Sequence, residues 1–273
     1  MTGAPPRLKL DELFLEIRLT SRRHIIVEGP TDQRFLQAWL HDVDTKNTVA
    51  VTSVEMLDIA TDSVLALGFG DGNRGRVVAA AAYAAAAAVD LRAVADRDCG
   101  HHVSEHAYAT LCWTDFPALE SYALDAATLE RANLLSFNEK LPNGAELLAL
   151  VAPALRELFA VRTANENLAK PDYKAGLKSG GSLANFDVAA AIHISLRKDV
   201  PGYARSASSD PRDYAYGHDI GELIFGEYRN TLRNQVGLNT ASAVESALRS
   251  AVQAVGSYKN EPMFVQLREW IAA

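Results

Sequence analysis

Cysteine is almost missing from this chain, with Cys99 and Cys112 the only two in 273 residues. Two thiols cannot build the disulfide framework of a small secreted domain, so a cytoplasmic setting is the expectation. Long apolar runs are missing too. No stretch is long and uncharged enough to span a bilayer, so no membrane partner is expected. The opening MTGAPPRLKLDELFLEIRL carries acids inside its apolar stretch, which does not make a cleavable signal. There is no excess of positive charge. The 27 basic and 34 acidic side chains leave a formal charge of −7, which argues against broad coating of DNA but allows a local nucleic-acid groove. No repeat of fixed period and no Walker-type phosphate loop occurs.

What remains is an ordinary globular composition. Apolar residues make up 48% and charged residues 22%, which excludes a disordered chain. The length suits one large domain or two small ones. Charge is uneven: residues 1–169 carry 15 basic and 23 acidic side chains, residues 170–273 carry 12 and 11.

HIIVEG, residues 24–29, is rich in β-branched residues and ends in glycine, which predicts a buried strand. Pro30, Thr31 and Asp32 suit the first turn of a following helix, in which Phe35, Leu36, Trp39 and Leu40 recur at helical spacing. TVAVTSV (48–54), SVLALGF (63–69), LRAVADRD (91–98) and YATLCWTD (108–115) read as further strands. The alanine-rich run 75–90 has high helix propensity and small side chains that let it lie close on a sheet. Strands alternating with helices predict a mainly parallel sheet. Beyond about residue 118 the periodicity is helical, with a loop-like stretch at 170–187. The expected architecture is α/β: a domain over 1–125, its mainly parallel sheet flanked by helices in a core at 22–125, then a mostly helical portion over 126–273 packed on it.

Ligands of open parallel sheets bind at the carboxyl ends of strands. Glu28 falls at such an end, Asp32 four residues on, and Asp96 and Asp98 at the end of a later strand, where i, i+2 spacing predicts one shared face. Converging carboxylates repel unless a cation joins them. Oxygen donors suit Mg²⁺ or Mn²⁺. Glu120 reads as a further metal ligand, an anchor for ligands, or an ordinary helix-start acid. Cys99, His101, His102, His106 and Cys112 have a spacing that matches no zinc module, and an exposed loop is the expectation for them.

Glu28-Gly29-Pro30-Thr31-Asp32 resembles the first Toprim motif, and Asp96-Arg97-Asp98 resembles the second, over roughly residues 22–125. The Asp placed four residues after the Glu is similar to the OLD-family nucleases and to the Toprim nuclease subunits of PARIS-type anti-phage systems. TDFPALESYALD (114–125) resembles a Leu-Glu-Asn-Tyr segment of that group, with Ser121 in place of Asn. GFGDGNRG resembles a Gly-rich segment that often carries a lysine there; Arg74 and Arg76 are the candidates here. The resemblance implies a Toprim-like fold and a metal-dependent nuclease working in defence beside a separate ABC-type ATPase. It makes Glu28, Asp32, Asp96, Asp98 and Glu120 the catalytic set, the first four as metal ligands. Candidate phosphate contacts are Arg74, Arg76, Arg97, Lys174, Lys178 and His218. His218 rests on a similar downstream segment of that group. Lys174 and Lys178 also read as part of a solvated loop.

The first expectation is therefore Mg²⁺-dependent phosphodiester hydrolysis of DNA or RNA. Its rivals are a non-catalytic Toprim-like sensor or interaction subunit that binds a partner ATPase, and a phosphotransferase or phosphohydrolase acting on a small molecule. DNA versus RNA, endo- versus exonuclease action, one metal or two, and self-association all stay open.

Overall fold

Runs of β-branched residues bounded by turn formers become strands here, and the alanine-rich run becomes the helix that covers them. In the computed structural model, residues 7–20, 22–44 and 48–273 are described. In chain order the first elements are β1 (Leu8–Lys9), α1 (Leu10–Thr20), β2 (Arg23–Val27), α2 (Pro30–Val43), β3 (Val49–Ser53), β4 (Leu57–Asp58), α3 (Thr61–Leu65), α4 (Asn73–Ala86), β5 (Leu91–Ala95) and β6 (Leu111–Trp113). The later ones are α5 (Ala126–Ser136), α6 (Gly144–Ala164), α7 (Tyr173–Gly180), α8 (Val188–Ala191), α9 (Gly217–Glu227), α10 (Arg229–Thr231), α11 (Ala241–Val255) and α12 (Pro262–Ala272).

The main sheet is parallel throughout, in the order β3-β2-β5-β6, and β1 and β4 pair as a separate parallel ribbon. The fold is therefore α/β, as the alternation of strand and helix predicts. Ile26 of β2 stands opposite Thr52 of β3 on one side and Ala93 of β5 on the other. Ile26, Leu91, Ala93 and Ala95 face one buried cluster with Leu13, Phe14 and Ile17 of α1 and the alanines of α4. Neighbouring residues of a strand face opposite ways. Ile25, Val27 and Val94 accordingly lie outside that cluster, as do the buried Phe35, Leu36, Trp39 and Leu40 of α2.

Helix α4 lies close because its side chains are small. Ala79, Ala80, Ala81 and Ala84 are fully buried, and a Cβ on Gly75 would meet Phe69 Cβ and Val64 Cγ1 at 2.6 Å. The chain's contacts divide it into two units. The first comprises the residues up to Asp96, His102–Asp115 and Lys259–Ala273; the second comprises Arg97–His101 and Phe116–Tyr258. The last helix, α12, thus belongs with the sheet, although the sequence groups it with the helical portion. Its Phe264 meets Trp39 at 5.5 Å and Phe35 at 6.2 Å between ring centroids. Arg23 of β2 donates to the carbonyls of Trp270 and Ile271, and Trp270 Nε1 donates to Asp90.

Two sequence expectations are corrected. SVLALGF is not a strand: Thr61–Leu65 is helix, and Gly68 at φ +82° ends the turn that follows. Leucine and alanine favour helix there, and a left-handed glycine stops it. The 170–187 stretch is not all loop, since it holds α7. Pro171 precedes that helix, the Asp172 carboxylate accepts from Ala175 N at 3.0 Å, and Gly181 closes it at φ +77°. Proline and glycine here bracket a helix rather than break one. Gly176 sits inside it because a Cβ would meet the Phe186 ring at 2.5 Å.

The second unit is held by helix packing and by one buried ion pair. Arg162 of α6 donates to both carboxylate oxygens of Asp219 in α9, at 2.9 and 2.6 Å, and Tyr173 of α7 donates its hydroxyl to the same carboxylate. Asp219 is wholly buried, in the first turn of α9. Burial opposes charge on Arg162, but the Asp219 carboxylate more than restores it and holds the guanidinium above its ordinary value. Burial first, then Asp219, pushes the Tyr173 hydroxyl up. Among the described residues, no helix is long and apolar enough to cross a membrane.

Candidate metal centre

Glu28 follows the last residue of β2 and Asp96 follows the last residue of β5. Because these strands are parallel neighbours, both residues arrive at the same edge of the sheet. The two residues touch: the Asp96 amide donates to Glu28 Oε1 at 2.8 Å. Asp32 lies in the first turn of α2, where its Oδ2 accepts from the Gly29 amide at 3.0 Å. That bond fixes the turn between Glu28 and Asp32. A negative side chain at a helix start is also favoured by the helix dipole.

Glycine at position 29 is not demanded by its own backbone. Its φ is −141°, and an added Cβ would meet nothing closer than Asp32 Oδ2 at 3.6 Å. A methyl there would sit beside Asp32 Oδ2 and, at 3.8 Å, Thr31 Oγ1. Glu28 and Asp96 offer oxygen donors only, the donor type that hard divalent cations take.

The Asp-x-Asp pair is not built by strand alternation. Strand β5 ends at Ala95, before either aspartate, and Asp98 adopts the left-handed conformation at φ +48°. The expected shared strand face is thus corrected to a turn, a backbone state that aspartate tolerates better than most residues. Within the second unit, the Asp98 amide donates to the Pro117 carbonyl at 2.9 Å. Burial, with the Asp98 charge behind it, pushes the Cys99 thiol up to about 12. Burial likewise lifts Cys112 to about 11. Neither thiol is poised to be a thiolate ligand.

Glu120 is 8% exposed, in the first turn of a short 3₁₀ helix over Leu119–Ala123, and it pairs with Arg249 of α11. Gly217 makes room for it, since a Cβ there would come within 2.7 Å of Glu120 Oε2. No spacing in the sequence points to Arg249 as the partner.

The candidate phosphate contacts are spread over both units. Arg76 donates to Asp71 Oδ1 from Nε and Nη2, at 3.2 and 2.9 Å, while the Arg74 guanidinium stands 5.4 Å from the Phe69 ring. Arg97 falls in the second unit. Lys174 and Lys178 lie one turn apart on α7 and line a cleft of about 380 Å³ with Tyr173, Leu177, Phe225 and Arg229. Glu222 and Glu227 share that cleft, so its charge is mixed. His218 Nδ1 stands 3.3 Å from Glu245 Oε1, and that hydrogen bond raises its pKa.

No protein-family model matches the chain, and no curated protein matches it in sequence.

Proposed function

We propose that the chain is a Toprim-like, Mg²⁺- or Mn²⁺-dependent phosphodiesterase acting on nucleic acid. The observation that carries this reading is the bond from the Asp96 amide to Glu28 Oε1, at the carboxyl ends of adjacent parallel strands. It sets side by side two acids that stand far apart in sequence.

Glu28 and Asp96 hold the ion in this reading, with Asp98 and Asp32 as further oxygen donors. A bound Mg²⁺ supplies Lewis acidity at a phosphate oxygen and a more acidic water. The chain's residues do the rest. Asp32 keeps the Glu28–Gly29 turn in place through the Gly29 amide. Gly29 leaves the approach to the carboxylates open. Arg74 and Arg76 supply cations for phosphate. The Glu120–Arg249 pair supports the fold around residues 116–123. A role in anti-phage defence, with a separate ABC-type ATPase as partner, belongs to the same proposal and rests on the motif resemblance alone.

The test is a panel of DNA and RNA substrates with Mg²⁺ or Mn²⁺, and chelator as control. Wild type cleaves at least one class, and chelator stops it. Glu28→Gln, Asp96→Asn and Asp98→Asn each abolish cleavage without shifting the melting temperature. Asparagine keeps the left-handed turn at position 98. Because the acids act as one unit, double variants are scarcely worse than single ones. Cleavage surviving in Glu28→Gln would sink the mechanism. A wild type inert on every substrate, alone and with its ATPase neighbour, would favour an interaction subunit.

A further inference from the structure

The connection from β5 to β6 carries metal-binding side chains that the proposed phosphodiester chemistry does not use. His102, Glu105 and His106 each offer one ligand atom, and these atoms lie within 4.8 Å of one another. Helical spacing does not bring them together, because the segment is a series of turns. His102 adopts φ +66°, and the Glu105 amide closes the turn on the His102 carbonyl at 3.1 Å. A left-handed histidine persists only where its surroundings hold it.

The surroundings here do so. The Phe69 ring stands 4.9 Å from the His102 ring and 5.1 Å from the His106 ring. His106 is buried, and its Nε2 lies 3.1 Å from the Leu67 carbonyl. A carbonyl only accepts, so Nε2 carries the proton and Nδ1 keeps its lone pair. Among the described residues, Nδ1 has the Tyr108 hydroxyl at 3.4 Å, which is long for an O–H···N bond. An imidazole whose far nitrogen donates to a backbone carbonyl is oriented as metal-ligating histidines are. His102 Nδ1 stands 3.1 Å from Glu105 Oε2, so a proton shared there occupies space that an ion can take.

We propose that His102, Glu105 and His106 bind a divalent transition metal of the Zn²⁺ class. This ligand set is separate from the Glu28 and Asp96 carboxylates. Two imidazoles and one carboxylate are donors that zinc accepts, and three protein ligands leave the fourth tetrahedral position for water. Imidazole nitrogen selects Zn²⁺ or Co²⁺ and disfavours Mg²⁺, which prefers oxygen and retains its water.

The experiment uses untagged, full-length, chelator-stripped protein. Zn²⁺ bound per chain is measured by equilibrium dialysis and mass spectrometry, and Co²⁺ is followed by the visible absorption of a four-coordinate ion. Glu105 is exposed, so Glu105→Gln tests a ligand without endangering the fold. Wild type takes up one Zn²⁺, and excess Mg²⁺ does not displace it. Glu105→Gln and His102→Asn each weaken binding by about tenfold or more, as loss of a ligand must if loss of a supporting contact already costs that much. The Glu28→Gln, Asp96→Asn double variant binds as wild type does, and so does His101→Gln. No uptake by wild type, uptake unchanged in Glu105→Gln and His102→Asn, or uptake lost in the Glu28, Asp96 variant would each overturn the proposal. Because the readout is metal binding, failure of the nuclease reading leaves it intact, and the reverse holds as well.

Discussion

Glycine 29 shows how a residue can matter without shaping the backbone. Its extended φ suits any residue, and a methyl group would meet only ordinary contacts. Gly29→Ala is therefore expected to keep the melting temperature, with stability changed by less than about 0.5 kcal/mol. The methyl stands beside Asp32 Oδ2, in the space that the proposed site keeps next to Glu28. Cleavage should fall by about a hundredfold if positioning there is as demanding as in other catalytic sites. Thermal melts and initial rates on one oligonucleotide check both halves. Unchanged cleavage would remove that space from the site. Asp98 differs, because its conformation is special: at φ +48° it accepts Asn or Gly far better than a β-branched residue.

At the scale of the element, β2 carries a polar residue into the core. His24 shares strand parity with Ile26, so it faces the cluster covered by α1 and α4, and it is 4% exposed. Among the described residues neither ring nitrogen finds a hydrogen bond within ordinary distance, and Glu16 Oε1 of α1 stands 3.6 Å from Nε2. Burial lowers the His24 pKa, against the weaker pull of Glu16. The folded chain thus holds His24 neutral where the unfolded chain would protonate it. Its contribution is complete above the unfolded value of about 6.5 and is lost as pH falls toward the lower folded value. His24→Phe should remove that loss. Its melting temperature should gain on wild type more at pH 5 than at pH 8, in paired calorimetric scans.

The Arg162–Asp219 pair is the counterpart among the helices, joining α6 to α9, with Tyr173 of α7 as third member. Arg162→Met leaves a wholly buried carboxylate without its cation. The expected cost is about 3–5 kcal/mol in urea unfolding. The double variant Arg162→Met, Asp219→Leu should recover most of it, because the isolated charge is what destabilises.

Over the whole molecule, the chain closes its sheet-bearing unit with its last element. Phe264 is fully buried, and the carbonyls of Trp270 and Ile271 are held by Arg23 of β2. Ending the chain after Tyr258 should leave Trp39 and Phe35 without that cover and β2 without that anchor. The expected result is loss of the cooperative thermal transition and exposure of tryptophan by fluorescence. Phe264→Ala is the milder version, at about 3–5 kcal/mol.

Local pattern was enough to read the α/β class, the strand–Glu–Gly–helix turn, the strand before Asp96 and the packed alanine helix. Each depends on β-branching, glycine, proline or periodicity within a few residues. The motif order also led to Glu28 and Asp96 at the ends of neighbouring strands, which the pairing of β2 with β5 bears out; the full strand order depends on pairing between segments far apart, and only the tertiary structure decided it. The same holds for the Asp98 turn, for Arg249 as partner of Glu120, for the buried Asp219 and for the return of α12 to the sheet. The cluster of His102, Glu105 and His106 was not read from sequence: the spacing matched no zinc module and an exposed loop was expected, whereas His106 is buried. Glu105 became its third member only when a left-handed backbone at His102 folded the segment on itself. Local propensity acts over a few residues, while burial and charge pairing act between whatever the chain brings together, so the elements were legible in sequence and their partners were not.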